Sequence, residues 1–149
     1  MAIHNLPPAR LKSYHDDEDS DQNVVIAALD ATGSGVSEAL AFTVGSNVTT
    51  AVIVGTCRYQ RIDDVVTVSG SVTVDLDSTG ASVFLIAFPT LADIANVAAA
   101  AEVSGVYIDA DGDIGVIVGD VTNDAAEVTF SATAATARIG HFWFSYVAD

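Results

Sequence analysis

Asp109, Asp111 and Asp113 stand at alternate positions around Gly112, and they are the residues of this chain best spaced to do chemistry together. Carboxylates at that spacing begin a calcium loop, which a bidentate acid near the loop's end would complete, and Asp120 stands where that acid would fall. Such a loop also needs flanking helices, whereas residues 114–118 read as a strand. The same Ala-Asp-Gly-Asp run at 110–113 is a strong turn signal between two strands, so an ordinary hairpin is the preferred reading and no metal ligand is assigned. His4, His15 and His141 lack metal-ligand spacing. Cys57 is the only cysteine; it forbids an intrachain disulfide and a Cys-rich zinc site, and reads as a buried, inert thiol. No G-x-S-x-G elbow is present, and the only lysine, Lys12, lies in no phosphate-binding loop. No catalytic residue and no cofactor site are therefore expected.

Arg58, Arg61 and Trp143 are the remaining side chains of interest. The two arginines fall on opposite faces of one predicted strand, each able to pair with a carboxylate across the sheet or across a subunit boundary. Trp143 is expected on the outward face of the last strand. An outward tryptophan marks an interface, so subunit contact is preferred, with glycan stacking as the functional alternative and simple burial as the plain one.

Twenty acids against five bases give a net charge of −15. Such a chain repels phosphate backbones and anionic bilayers, so neither nucleic acid nor membrane is an expected partner. No apolar run is long enough to span a bilayer, and no apolar stretch near the start suggests a cleaved signal peptide. The 21 valines outnumber the 7 leucines, and with 10 isoleucines and 13 threonines they favour a pleated surface over a helix.

Along the chain, residues 1–23 read as an extended N-terminal arm. Pro7-Pro8 blocks helix, and the acids at 16–19 resist collapse. Ile3, Leu6 and Leu11, with Arg10 and Lys12, could dock the arm on another protein. Residues 24–40 read as a short strand and a turn-rich linker. From 41 to 149 the pattern is all-β. Residues 66–76 alternate strictly, with Val66, Val68, Val72, Val74 and Leu76 on one face, and Gly70 marking a bend or bulge. Residues 51–62 read as one strand, turning at Asp63-Asp64. Residues 81–88 read as a strand covered on both sides, and residues 98–103 as a strand after a loop from Pro89. Strands around 106–109, 114–118, 126–132 and 139–147 complete about eight. Short alternating strands with Gly, Asp and Asn turns predict an antiparallel β-sandwich, jelly-roll-like.

Four segments carry a family resemblance: CRYQRIDDVVTVSGSVTV at 57–74, VFLIAFP at 83–89, TNDAAEVTFSA at 122–132 and HFWFSYV at 141–147. In order and spacing the chain resembles, over about residues 41–149, a β-sandwich domain of tailed-phage virion proteins. It departs at Asp63-Asp64, where that family tends to carry Gly-Asn or Gly-Asp. The resemblance implies a module of head fibres, capsid decoration proteins and tail-fibre tips. Such modules are usually homotrimeric and bring no catalytic residues. The expectation is a non-enzymatic phage structural protein on the capsid surface, assembled in the host cytoplasm. It would be held to the major capsid protein or another virion protein by its arm. The alternative is a tail-fibre or receptor-binding tip with a host-surface glycan as partner.

Overall fold

The computed structural model describes residues 36–62, 64–89 and 97–148. Ten strands are present among them: β1 (Val36–Glu38), β2 (Phe42–Val44), β3 (Val48–Ile53), β4 (Cys57–Ile62), β5 (Val65–Leu76), β6 (Gly80–Ile86), β7 (Val103–Asp109), β8 (Ile114–Asp120), β9 (Ala125–Ala132) and β10 (Arg138–Val147). Every pairing is antiparallel, in the order β1-β4-β5-β10-β7-β8-β9-β6-β2, with β3 also on β5. This is the all-β sandwich expected, nearly closed into a barrel. The arm, its proposed anchors Ile3, Leu6, Arg10, Leu11 and Lys12, and the strand read at 24–29 lie outside the described residues.

The twelve-residue β5 organises the sheet. One edge pairs with β10 over Val65–Val74. The other edge pairs with β4 over 65–69 and with β3 over 72–76. Its inward row is the one the alternation predicts: Val66, Val68, Val72 and Val74 are fully buried and Leu76 nearly so. Gly70 belongs to that row and is not a bulge, since the β5–β10 register runs through it without a shift. A Cβ there would lie 2.7 Å from the Phe142 ring and 2.8 Å from the Cys57 sulfur, so the missing side chain makes room for the aromatic strand.

β10 supplies Phe142, Phe144 and Tyr146 to the core, stacked along the strand with centroids 6.2 and 6.1 Å apart. Tyr107 on β7 lies beside Phe142 across the β7–β10 ladder and meets Phe84 on β6 edge to face at 5.5 Å. Burying each such side chain contributes about 1.5–3 kcal/mol, which offsets the ordering cost of strands with few local contacts.

Closure depends on the link between β2 and β3, which carries the chain from the β6 edge to β5. Gly45 N–H donates to the Val83 carbonyl at 3.0 Å, and Val83 N–H to the Ser46 carbonyl at 2.9 Å. Asn47, in the left-handed region at φ 59°, donates to the Ser78 carbonyl and the Ser82 hydroxyl, and its own carbonyl accepts from the Ser78 amide and hydroxyl. One side chain thus ties this link to the β5–β6 turn.

Three of the segments read as strands differ from their sequence reading. Residues 51–62 are two strands, broken where Gly55 takes φ 78°. β6 is not covered on both sides: Phe84 and Ile86 are buried, while Val83 and Leu85 on its outer face are only half-buried. Residues 98–103 hold a 3₁₀ turn at Ala100–Glu102, and the strand begins at Val103. The Glu102 carboxylate accepts from the Ala98 amide at 2.9 Å, and Asp124 in the distant β8–β9 turn accepts from the Val97 amide at 2.8 Å, so side chains satisfy backbone that a ladder would otherwise take. The β4–β5 hairpin stands as expected, with Ile62 opposite Val65. β1 pairs with β4 inside the stretch read as linker.

Candidate functional site

Asp109 ends β7 and Asp113 precedes β8, so the hairpin read at 110–113 is present, with Gly112 at φ 86°. Its acids are bound internally. One Asp109 oxygen accepts from the Asp111 and Asp113 amides at 3.1 and 3.0 Å, which fixes the loop. Its other oxygen faces Arg138 Nη1 at 3.2 Å, and the same nitrogen lies 2.8 Å from Asp113 and 3.1 Å from Asp111. Arg138 Nη2 donates to the Ala134 carbonyl, and Nε to the Thr136 carbonyl at 3.3 Å. Asp113 accepts in addition from the Thr133 amide and hydroxyl, at 2.8 and 3.2 Å. A single guanidinium therefore clamps the β7–β8 loop to the β9–β10 loop. Its side chain is 2% exposed, that of Asp109 0% and that of Asp113 5%.

The fourth acid of the calcium-like pattern lies elsewhere. Asp120 closes the β8–β9 turn, accepting from the Thr122 amide at 2.8 Å and from the Asn123 side chain at 2.6 Å. Asp113 and Asp120 flank β8 at opposite ends, a separation that a helix-flanked calcium loop would not produce. Among the described residues no group of three or more His, Cys, Asp or Glu is placed to hold a metal ion.

The Thr133 amide, then its hydroxyl and the Arg138 guanidinium, hold the Asp113 carboxyl below the usual carboxylate range. A folded pKa below the unfolded one means stability that is complete above the unfolded value and lost as pH falls through the folded one. Thermal melts should therefore hold level from neutral pH to about pH 4 and fall below it, near the ordinary aspartate range. Asp113→Asn should lower the melting temperature at neutral pH, and its deficit should close as pH 2 is approached. A deficit independent of pH would exclude the ion pair as its cause.

Tyr107 borders the clamp. Its ring is fully buried, and its hydroxyl has no hydrogen-bond partner among the described residues. Burial, with the Asp109 carboxylate second, raises its pKa above the ordinary tyrosine value. Gly140, diagonal to it across the β7–β10 ladder, is required because a Cβ there would overlap the ring. Leaving a buried hydroxyl unpaired costs about 1–3 kcal/mol, so Tyr107→Phe is expected to leave stability unchanged or to raise it, read by urea denaturation. A marked loss would reveal a bound partner for the hydroxyl.

The outward faces of β4, β5 and β10 carry a second arrangement. Arg58 lies opposite Ser69, and Ser69 opposite Trp143, while Gln60 lies opposite Thr67. These residues line a groove of about 300 Å³. Trp143 is 48% exposed, and Arg58 is exposed as well. The structure thus brings Arg58 and Trp143 together. Arg61 sits on the opposite face of β4, as read, and its guanidinium lies 3.8 Å from Asp64 in the hairpin turn.

Beyond Trp143 the outer face is apolar. Trp143 lies opposite Val106, and Val106 opposite Val116; His141 lies opposite Ile108, and Ile108 opposite Ile114. Val116 and Ile114 are 58% and 67% exposed.

Arg138 was missed among the site residues, although a signal for it exists. Alternation through Phe142, Phe144 and Tyr146 puts position 138 on the inward face, and a buried arginine demands carboxylates. Arg138 is also one of only five bases in the chain.

Neither a family model nor a curated protein matches this sequence. Among solved structures it is similar to the carboxy-terminal domain of the turkey type 3 siadenovirus fibre, avirulent form, complexed with 3-sialyllactose. The identity is 9% and the TM-score 0.38, over 78% of this chain and 100% of that one. A likeness of that size says nothing about what this chain binds or how it assembles.

Proposed function

We propose that this chain is a non-enzymatic structural protein of a phage virion, a homotrimeric capsid decoration or head-fibre protein anchored by its N-terminal arm. The observation that carries the reading is the apolar band on β7 and β8, formed by Val106, Ile108, Ile114 and Val116. Exposed isoleucine and valine are unfavourable in water, and contiguous apolar surface of this kind marks a contact. Trp143 stands at the rim of that band. The virion assignment draws on the resemblance of segments 57–74, 83–89, 122–132 and 141–147. The non-enzymatic reading draws support from the clamp, whose buried acids are consumed by Arg138 and the loop backbone.

The mechanism is physical. Three copies bury the band between them, and each contributes an arm to the capsid. Joining three weak attachments raises the total affinity through effective concentration. Light scattering on the full chain should give three times the 15.3 kDa chain mass, and a monomer would overturn the trimer. Deleting residues 1–23 should leave the trimer intact and abolish capsid attachment, whereas unchanged attachment would remove the arm from the mechanism.

The groove beside Trp143 favours a second reading, a tail-fibre or receptor-binding tip. The two differ in where on the virion the domain sits, which imaging of labelled particles would separate.

A further inference from the structure

We infer that the groove between Arg58 and Trp143 binds a saccharide bearing a carboxylate. This goes beyond the structural role above and does not depend on the trimer.

Arg58 has no ion pair or hydrogen bond among the described residues, whereas Arg61 meets Asp64 and Arg138 meets three aspartates. With twenty acids for five bases, an arginine left open is unexpected on charge balance alone. Its surroundings explain how it stays open. The outward positions of β4, β5, β7 and β10 contain one acid, Asp75, and that lies six residues along β5 from Ser69. At a strand rise of roughly 3.3 Å per residue the separation is about 20 Å, well beyond ion-pair reach and beyond the screening length in physiological salt. A local basic site thus sits on outward strand faces of β4, β5, β7 and β10 that carry a single, distant acid, and it fits one carboxylate presented in bidentate geometry to the guanidinium.

The rest of the lining selects the chemistry attached to that carboxylate. Trp143 offers an exposed indole face to the C–H side of a sugar ring. Ser69, Thr67 and Gln60 offer hydroxyls and an amide that donate and accept. The volume of about 300 Å³ is at the small end of ligand sites and suits a terminal sugar. An acidic peptide fits less well. The groove lies on a sheet face, where β4, β5 and β10 already pair their backbone groups, so no edge is open for strand addition. A carboxylate from a neighbouring copy is the remaining occupant to distinguish.

The probes are the methyl glycosides of N-acetylneuraminic acid and of galacturonic acid, two sources of the same chemistry. The methyl esters of the two glycosides are their neutral counterparts. Each is titrated into the full chain and followed by calorimetry. At least one acid is expected to bind saturably, and its neutral counterpart about tenfold more weakly, as expected for loss of one charge-assisted contact. Arg58→Gln should erase the preference for the acid, and Trp143→Ala should weaken acid and neutral forms alike. Absence of saturable binding by both acids, equal binding of neutral forms, or an acid preference surviving in Arg58→Gln would each overturn the site. So would Arg58→Gln lowering the oligomeric mass, because the groove would then hold a neighbouring copy. Val116→Glu, on the far side of the band, should leave sugar binding intact whether or not the chain is a trimer, so the two readings fail independently.

Discussion

Arg138→Met is expected to lower the unfolding free energy by about 3–5 kcal/mol, a large fraction of the roughly 5–15 kcal/mol that holds a domain folded. The methionine retains much of the stem's volume, so the loss would not be a cavity effect. It arises because Asp109 and Asp113 remain buried with no countercharge, and because the Ala134 and Thr136 carbonyls lose a donor. Arg138→Lys should recover only part of the loss: a single ammonium cannot span three carboxylates and two carbonyls as the planar fork does. Adding Asp109→Asn and Asp113→Asn to Arg138→Met should restore much of the stability, since the buried charges are then gone. Urea denaturation of the four proteins checks the series. A loss below about 1 kcal/mol for Arg138→Met would place the clamp in the class of surface ion pairs and remove it as the fastener of this end of the sandwich.

The clamp also shows what a sequence can and cannot reveal. The inward rows of β5, β9 and β10 were legible because each runs for eight residues or more with one face dry, so period two is written in full. Hairpins at Asp63-Asp64 and 110–113 were legible because turn residues interrupt those rows. The three-residue β1 and β2 were not, since a strand that short has no period to read. Residues 51–62 looked continuous because a single glycine reads the same in a bulge, a bend or a break; β3 and β4 lie along the same edge of β5, and only a shift of register between Ile53 opposite Val72 and Arg58 opposite Ser69 separates them. The apolar run of β6 suggested two covered faces, yet its outer side chains need no cover to be tolerated. Residues 98–103 went astray because alanine is neutral between strand and turn, and the deciding groups, Glu102 and Asp124, act through hydrogen bonds invisible to periodicity. The site divides in the same way. The outward placement of Trp143 followed from alternation, as did the placing of Arg58 and Arg61 on opposite faces of one strand. Their meeting did not, because it depends on β4 and β10 flanking the same strand from opposite sides.

Val116→Glu is expected to convert the proposed trimer to monomer, and the fold should survive the change. The position is 58% exposed in the single chain, so a carboxylate there remains solvated when the chain is alone. In a trimer it would lie inside the apolar band beside Val106, and threefold symmetry would repeat the burial in every copy. Each unpaired charge taken from water costs several kcal/mol. The chain's own charge complicates a single variant, because one more acid on a protein of net −15 also raises repulsion between copies. Val116→Lys removes that ambiguity: it lowers the net charge yet buries a charge at the same place. Both variants should therefore sediment as monomers with unchanged melting behaviour at low concentration. Added salt should tighten the parent assembly by screening repulsion while leaving Val116→Lys monomeric. If Val116→Lys stays trimeric, β8 lies outside the contact. The apolar band would then lose its place as the surface on which the copies meet.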